Sequence, residues 1–251
     1  MYQQPAMPAI NSVADGFAWP FRDPQWVSKI LVQGLINILV IVGWIATVGW
    51  MLGSLDNLRQ GRQELEPAGF KHFGRGASPF FVYVIYAVVI AIVAGILQVI
   101  GAAASGGDTN NPVFAIFTLL RGLWQFVAGI ALLLAIPTIV LLTDRDGFAA
   151  GLNVARVLSM ISATPGATLL AGLIAVVLNI IGSLGLIVCC IGIFFTYAYA
   201  AAAFAGVLFW LERNLPMGPS PMMQGPSQPP SMPPPPQPPP PPPQPPPPPT
   251  G

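Results

Sequence analysis

Five long apolar stretches dominate this sequence and limit the folds that are open to it. A helix needs roughly 20 apolar residues to cross the hydrocarbon core of a bilayer. None of the stretches alternates as a membrane β-strand does, and a helix satisfies its own backbone polar groups in lipid. The sequence therefore predicts an all-α, polytopic transmembrane helical bundle. The predicted hydrophobic segments are about 28–52, 80–103, 122–142, 167–183 and 186–211.

The composition agrees with a membrane protein. Charged residues make up 8% of the chain and hydrophobic residues 54%, whereas soluble proteins are roughly 25% charged. This excludes an ordinary soluble domain and a chain that is disordered throughout. A net charge of +1 argues against a nucleic-acid partner. We expect an integral multi-pass protein whose first partner is the lipid bilayer.

The chain divides into three predicted parts. Residues 1–27 form a polar and aromatic N-terminal segment, 28–213 the membrane domain, and 214–251 a Pro-rich tail that holds 21 of the 30 prolines and no charge. Such a composition cannot build a core, so the tail is predicted to be disordered and of low complexity. Two interpretations stay open: the tail binds an aromatic groove of a protein partner, or it is a stiff, solvated spacer.

The first hydrophobic segment has two alternative topologies. Gly34 and Gly43, with the amides Gln33 and Asn37, interrupt it and suit a broken helix. If the segment crosses once, the bases before it lie outside, against the positive-inside rule. If it is a re-entrant hairpin turning near Gly43, nine of ten bases are cytoplasmic and only Arg121 lies near the outer face. The charge rule favours the re-entrant form, and both alternatives stay open.

The charges of the loops predict the side of the membrane on which each loop lies, and the prolines predict where helices begin. Lys and Arg concentrate in loops 53–79 and 143–164, which are predicted to be cytoplasmic together with the C-terminus. The loop 105–111 and a tight turn at 182–185 carry no base and are predicted outside. Prolines are favoured in the first helical turn, so we expect helical regions to begin at Pro79, Pro112 and Pro165.

Four polar side chains lie inside the predicted spans, where polar groups are costly and often functional. Arg121 and Gln125 are one turn apart on the third span, while Gln98 and Asn179 lie late in the second and fourth. One interpretation places all four along a transport pathway. The favoured interpretation is structural: the amides hydrogen-bond neighbouring helices, for about 0.6 kcal/mol each, and Arg121 extends to the outer interface.

Patterns that indicate catalysis are missing from the sequence. His72 is the single histidine, and the adjacent Cys189 and Cys190 provide no zinc motif. No Walker or dinucleotide-binding glycine motif occurs. Asp144 and Asp146 are predicted to mark a loop and a helix cap. We therefore expect no catalytic residue, no cofactor-binding residue, no metal site and no enzymatic activity.

Small residues predict close helix contacts. Gly49 and Gly53 have GxxxG spacing, and 198–206 is rich in Ala and Gly. Such stretches let helices approach closely. The contacts are expected either within one protomer or between two, as in a homo-oligomer.

Several short motifs resemble a known family. They are Pro20-Phe-Arg-Asp-Pro-Gln-Trp-Val-Ser-Lys-Ile30, Ile41-Val-Gly-Trp44, Leu58-Arg-Gln-Gly61 and Asp146-Gly-Phe148. They resemble the uncharacterised prokaryotic membrane-protein family catalogued as domain of unknown function 4013, over residues 20–212. The resemblance implies paired spans in a bacterial or archaeal cytoplasmic membrane and implies no activity.

The function expected from the sequence is that of a membrane scaffold or adaptor with a cytosolic Pro-rich tail. The alternative is a transporter or channel component that uses the polar face of Arg121, Gln125, Gln98 and Asn179. Removal of the tail should abolish the first function, and replacement of the intramembrane amides should abolish the second.

Overall fold

The computed structural model describes residues 10–188 and 191–215. The Pro-rich tail from residue 216 onward, residues 1–9, and Cys189 and Cys190 lie outside the described residues. Every regular element in the described ranges is helical, as the sequence predicts. The helices are α1 (Val13–Ala18), a 3-10 turn (Trp19–Arg22), α2 (Trp26–Asn37), α3 (Ile41–Arg59), α4 (Phe73–Ala104), α5 (Pro112–Asp146), α6 (Phe148–Leu152), α7 (Val154–Ala163), α8 (Pro165–Val188) and α9 (Gly192–Asn214).

Four of these helices, α4, α5, α8 and α9, are long and apolar enough to cross a bilayer. The protein is therefore a multi-pass α-helical membrane protein. The third predicted span and its apolar lead-in form one helix, α5, of 35 residues. At about 1.5 Å per residue α5 is longer than the roughly 30 Å hydrocarbon core. Its last turns, from Pro137 to Thr143, are buried in protein.

The first hydrophobic segment is broken, as predicted, but the break lies before Gly43. Helix α2 ends at Asn37 and α3 begins at Ile41, with Val40 at a φ of 49°. Gly43 itself lies in α3, where a Cβ atom would overlap the carbonyl oxygen of Ile36. A glycine is therefore needed at position 43, because α3 passes close to the end of α2 one turn after the break.

The two ends of this broken segment meet. The Lys29 ammonium donates to the carbonyl oxygen of Leu65 over 2.6 Å, and Asp23 accepts from the Leu65 N–H over 2.8 Å. Lys29 is at the start of the segment and Asp23 precedes it, whereas Leu65 follows α3. At the turn, the buried Gln33 amide donates to the Thr47 hydroxyl over 2.8 Å. This hairpin geometry is the one that the re-entrant alternative requires.

Two predicted helix boundaries are wrong. Helix α4 begins at Phe73, so Pro79 lies inside it. The predicted turn at 182–185 is helical, because α8 continues to Val188 and α9 begins at Gly192. The glycines of 182–185 serve helix packing instead: the Thr196 hydroxyl of α9 donates to the carbonyl oxygen of Gly182 over 2.5 Å.

Two other proline predictions are confirmed. Pro112 is the first residue of α5, and the side chain of the preceding Asn111 accepts from the Val113 N–H. Pro165 is the first residue of α8. The first residue of a helix has no acceptor for its N–H within the helix. Proline, which has no N–H, therefore fits both positions.

The N-terminal segment packs along α9. Trp19 is fully buried, and its indole N–H donates to the carbonyl oxygen of Ala202 over 2.9 Å. Gly16 and Gly206 allow the two backbones to approach closely, since a Cβ on Gly206 would meet Gly16 and Trp19. Ser12 and Asp15 cap the start of α1 reciprocally. These residues therefore belong to the bundle.

The hydrophobic core lies at one end of the bundle, which we call the packed end. The packed end contains the C-terminal halves of α3 and α9, with buried Trp50, Leu55, Leu208 and Leu211. Toward the opposite end, α4 and α5 expose apolar side chains on most faces. Large exposed apolar surfaces mark membrane contact, so this part of the fold suits hydrocarbon surroundings.

Candidate functional site

Five charged side chains from four helices meet at the packed end. Asp56 and Arg59 are one turn apart on α3 and share a face. The other three lie in the first turn of α4 or the last turns of α5 and α9. Helices α3, α5 and α9 all end here and α4 begins here, so the helix ends bring these side chains together. We call this set the charge network; its members are Asp56, Arg59, Arg75, Asp144 and Glu212.

Arg59 is the centre of the charge network. Its Nη1 atom donates to Asp56 Oδ1 over 2.9 Å and to Asp144 Oδ2 over 3.1 Å, and its Nε atom donates to Glu212 Oε2 over 2.9 Å. The Arg59 side chain is 4% exposed. One guanidinium therefore joins α3, α5 and α9 in a buried setting.

Arg75 adds α4 to the same network. Its Nε atom donates to Asp144 Oδ1 over 2.6 Å and its Nη2 atom to Asp144 Oδ2 over 2.9 Å. Its Nη1 atom also donates to Asp56. A guanidinium that binds a carboxylate through two parallel hydrogen bonds fixes geometry as well as charge. Asp144 thus accepts from two arginines, and the ends of all four helices are held relative to one another.

The chemistry of the charge network is that of a clamp. Burial disfavours the charge on Arg59, but the hydrogen bond and charge of Glu212, with the charge of Asp144, outweigh burial and raise the pKa of Arg59 above its usual value. Guanidinium groups keep their proton in proteins. The arginines therefore stay charged, and removal of any partner would leave a buried charge without compensation.

A second cluster fixes the loop after α3. The Glu66 carboxylate accepts from Lys71 over 2.7 Å and lies 3.1 Å from His72 Nε2. The Glu66 backbone binds α3, because its carbonyl oxygen accepts from the Trp50 indole over 2.6 Å and its N–H donates to the Ser54 hydroxyl over 3.1 Å. Burial disfavours the carboxylate, but the hydrogen bonds from Lys71 and His72 prevail and hold the pKa of Glu66 below its usual value.

Asp23 fixes the chain that precedes α2. Its carboxylate accepts from Lys29 over 2.8 Å and from the backbone N–H groups of Gln25 and Leu65 over 2.7 and 2.8 Å. Burial disfavours the carboxylate, but these hydrogen bonds outweigh burial and hold the pKa of Asp23 below its usual value. The entry to α2 is thereby attached to the loop after α3.

The structure brings together two of the four predicted intramembrane residues. Arg121 Nη1 donates to Gln98 Oε1 over 3.0 Å, which joins α5 to α4. Gln125 is exposed on the surface of α5. Asn179 lies elsewhere, at an open cavity lined by residues of α2, α3, α4, α5, α8 and α9. The Arg121–Gln98 contact is an interhelical hydrogen bond of the kind that the structural interpretation describes.

One prediction about the acids is wrong. Asp144 was expected to mark a loop or a helix cap, but it lies inside α5 with its side chain 2% exposed, in the charge network. Asp146 is the last residue of α5 and pairs with Arg156 over 2.6 Å at the surface. Successive residues on a helix are about 100° apart, so residues 144 and 146 point to nearly opposite sides of α5. This two-residue spacing is the one sequence signal that places the two acids on different faces.

Among the residues that the structure describes, no three His, Cys, Asp or Glu side chains are arranged to hold a metal ion. The carboxylates of the charge network contact guanidinium groups instead.

The fold and the charge network define a multi-pass α-helical membrane protein whose helix ends are joined by ion pairs. The chain belongs to the family described as "Protein of unknown function (DUF4013)", whose model matches residues 32–191. This confirms the family suggested by the sequence motifs. No curated protein and no solved structure gives a significant match.

Proposed function

We propose that this protein is a non-enzymatic membrane scaffold. Its bundle anchors it in a bacterial or archaeal cytoplasmic membrane and presents the Pro-rich chain after Leu215 to a protein partner in the cytoplasm. The observation that carries the proposal is the salt bridge between Arg59 and Glu212, which attaches the last turn of α9 to α3.

The end of α9 is held by several contacts. The Glu212 side chain is 6% exposed and lies 2.9 Å from Arg59. Leu211 and Leu215 are buried, and the Leu215 N–H donates to the carbonyl oxygen of Leu211 over 3.0 Å. Arg213 donates to the carbonyl oxygen of Ile10 over 3.4 Å. The last turn of α9, directly before the Pro-rich tail, is therefore held against the bundle.

A fixed starting point suits a Pro-rich tail that recruits partners. Proline makes up nearly all of residues 233–249, and runs of proline favour the polyproline II conformation. Pro-rich segments bind aromatic grooves without a large ordering cost, because their conformation is already restricted. The basic residues Arg59, Arg62 and Arg75 at the packed end support a cytoplasmic position for the tail.

The transport alternative has less support from the geometry. A pathway needs polar groups in a continuous series, whereas Asn179 lies at a separate cavity from the Arg121–Gln98 pair, and Gln125 is on the outer surface of α5. The charges of the charge network are engaged in ion pairs that hold helices together.

The test is copurification from native membranes, quantified by mass spectrometry. Full-length protein is compared with protein stopped after Leu215, a position chosen because Leu215 is buried and completes α9. A tail of unchanged length with alternate prolines of 233–249 replaced by serine is the matched control for tail length.

The scaffold proposal predicts that specific partners disappear with the truncation and with the serine-substituted tail. It also predicts that Gln98→Leu and Asn179→Leu leave the partners in place. The proposal is wrong if the truncated protein keeps every partner, because the membrane domain would then hold the binding function.

A further inference from the structure

The centre of the bundle contains a cavity of about 370 Å³, between α3, α4, α5, α8 and α9. Small-molecule sites in proteins are roughly 300–1,000 Å³ and mostly apolar. The walls are apolar, with Met51, Leu132, Ile136, Leu178 and Phe204 among them. None of the described residues that line it is charged.

The cavity opens onto the apolar outer surface of the bundle. Trp44 and Tyr83 both line it and are 46% and 44% exposed. Their neighbours in sequence include the exposed apolar residues Val42, Phe81 and Ile85. Exposed apolar side chains of a membrane bundle suit hydrocarbon surroundings, so the opening of the cavity is suited to the lipid phase.

Three polar side chains at the cavity lack partners. The exposed Asn179 and Tyr83 and the half-buried Tyr197 line it, and their amide and hydroxyl groups make no hydrogen bond with any residue that the structure describes. By contrast, Asn37 and Thr47, which also line it, bond to each other over 2.5 Å. An unpaired polar group in hydrocarbon costs free energy. The three unpaired groups are therefore suited to bind a polar group on a ligand.

We propose that this cavity binds one uncharged, single-chain lipid. The chain occupies the space between the apolar walls, and its terminal hydroxyl group exchanges hydrogen bonds with Asn179, Tyr83 and Tyr197. The lipid is uncharged because no cationic side chain lines the cavity, and a buried phosphate or carboxylate would stay unpaired. This site goes beyond the scaffold proposal and does not depend on the Pro-rich tail.

The test uses the full-length protein in phosphatidylcholine vesicles with three photoreactive probes of equal chain length. The probes are a long-chain alcohol, the corresponding alkane, and the phosphate ester of the alcohol, each with a diazirine on the chain. Cross-linked residues are located by mass spectrometry. We expect the alcohol to label the apolar walls, and unlabelled alcohol to compete.

A pair of variants tests the walls, and a single variant tests the polar groups. Ala201→Trp fills the cavity and should abolish labelling of its walls, whereas Ala91→Trp, on the exposed face of α4, should leave it unchanged. Tyr197→Phe removes a single oxygen atom and should lower labelling by the alcohol roughly 2- to 10-fold, the effect of one hydrogen bond of about 0.5–1.5 kcal/mol. It should not alter labelling by the alkane.

Three results would overturn the proposal. One is wall labelling that persists in Ala201→Trp. Another is equal labelling by the alcohol and the alkane in the wild-type protein, since the polar groups would then contribute nothing. The third is preferential labelling by the phosphate ester, which would assign the cavity to an anionic lipid. If Ala201→Trp fails to fold, the Tyr197→Phe comparison of alcohol and alkane decides alone.

Discussion

Arg59 and Glu212 are 153 residues apart in the chain, yet the Arg59 Nε atom donates to Glu212 Oε2 over 2.9 Å in a buried setting. This contact joins the end of α3 to the last turn of α9, which precedes the Pro-rich tail. Arg59 holds Asp56 and Asp144 as well, so its guanidinium contacts all three carboxylates of the charge network.

Arg59→Met should destabilise the protein strongly. The substitution leaves three buried carboxylates short of a cation, and such a loss costs about 3–5 kcal/mol. Arg62→Met is the matched control, because Arg62 is exposed and donates to Gln60 at the surface. We expect its effect to stay below about 1 kcal/mol. Thermal unfolding in detergent measures both, and equal Tm values for the two variants would contradict a central role of Arg59.

Asp144→Asn and Asp146→Asn should differ although the two acids are two residues apart. Asp144 accepts from Arg59 and Arg75 and is 2% exposed, whereas Asp146 pairs with Arg156 at the surface. We expect a loss of about 3 kcal/mol or more for Asp144→Asn and less than about 1 kcal/mol for Asp146→Asn. The measurement is the unfolding free energy of each variant. A larger loss for Asp146→Asn than for Asp144→Asn would contradict a role of Asp144 in the charge network.

Gly43→Ala should disturb the α2–α3 hairpin. The added methyl would overlap the carbonyl oxygen of Ile36, and overpacking of this kind costs about 1–3 kcal/mol. Gly95→Ala is the control, since nothing lies within 4 Å of a Cβ at that position of α4. It should be neutral or stabilising by up to about 1 kcal/mol. A thermal-unfolding series that shows no difference between the variants would contradict the close return of the chain at Gly43.

Acid should destabilise the protein through Asp23 and Glu66. The pKa values of both carboxyls are held below their usual values of 3.8 and 4.5. Their contribution to stability is therefore present above those usual values, and it is lost as the pH falls through the lower values of the folded state. We expect Asp23 and Glu66 to leave the Tm unchanged between pH 7 and about pH 5. Under about pH 4, protonation of the two carboxylates should lower the Tm.

Glu66→Gln isolates one of these contributions. The variant should be less stable than the wild type at pH 7 and should lose less stability on acidification. Glu64→Gln is the control, because Glu64 is exposed in the same loop. The measurement is Tm against pH for the three proteins; wild-type and Glu66→Gln profiles of identical shape would contradict a favourable interaction of the Glu66 carboxylate.

The spans follow from the sequence because lipid imposes a length and an apolar composition on each helix. The break in the first segment follows as well, from its glycines and buried amides. The exact turn does not, because Gly43 serves the contact with Ile36 and the break itself falls at residues 38–40. The turn predicted at 182–185 is wrong for the same reason. Glycine is favoured both in turns and where helices pack closely, and here Gly182 and Gly185 lie within α8.

The charge network could not be predicted from the sequence. Its members are scattered over positions 56 to 212, and each is typical of a solvated loop or helix end when viewed alone. Only the meeting of four helix ends pairs Arg75 with Asp144 and Arg59 with Glu212. The Arg121–Gln98 contact is easier to predict, because polar groups within apolar spans form hydrogen bonds with neighbouring helices.

We propose that the N-terminal segment, the charge network and the end of α9 lie on the cytoplasmic face of the membrane. Substituted-cysteine labelling in bacterial cells tests it most directly, in a Cys189→Ser, Cys190→Ser background. Single cysteines replace the exposed residues Asn11, Arg62 and Asn110, and one is added after Gly251.

We expect a membrane-impermeant maleimide to label Asn110→Cys in intact cells. Asn11→Cys, Arg62→Cys and the added C-terminal cysteine should react only after permeabilisation. Labelling of Asn11→Cys in intact cells would show that the first hydrophobic segment crosses the membrane, and labelling of the C-terminal cysteine would place the tail outside; either result would overturn the proposed sidedness.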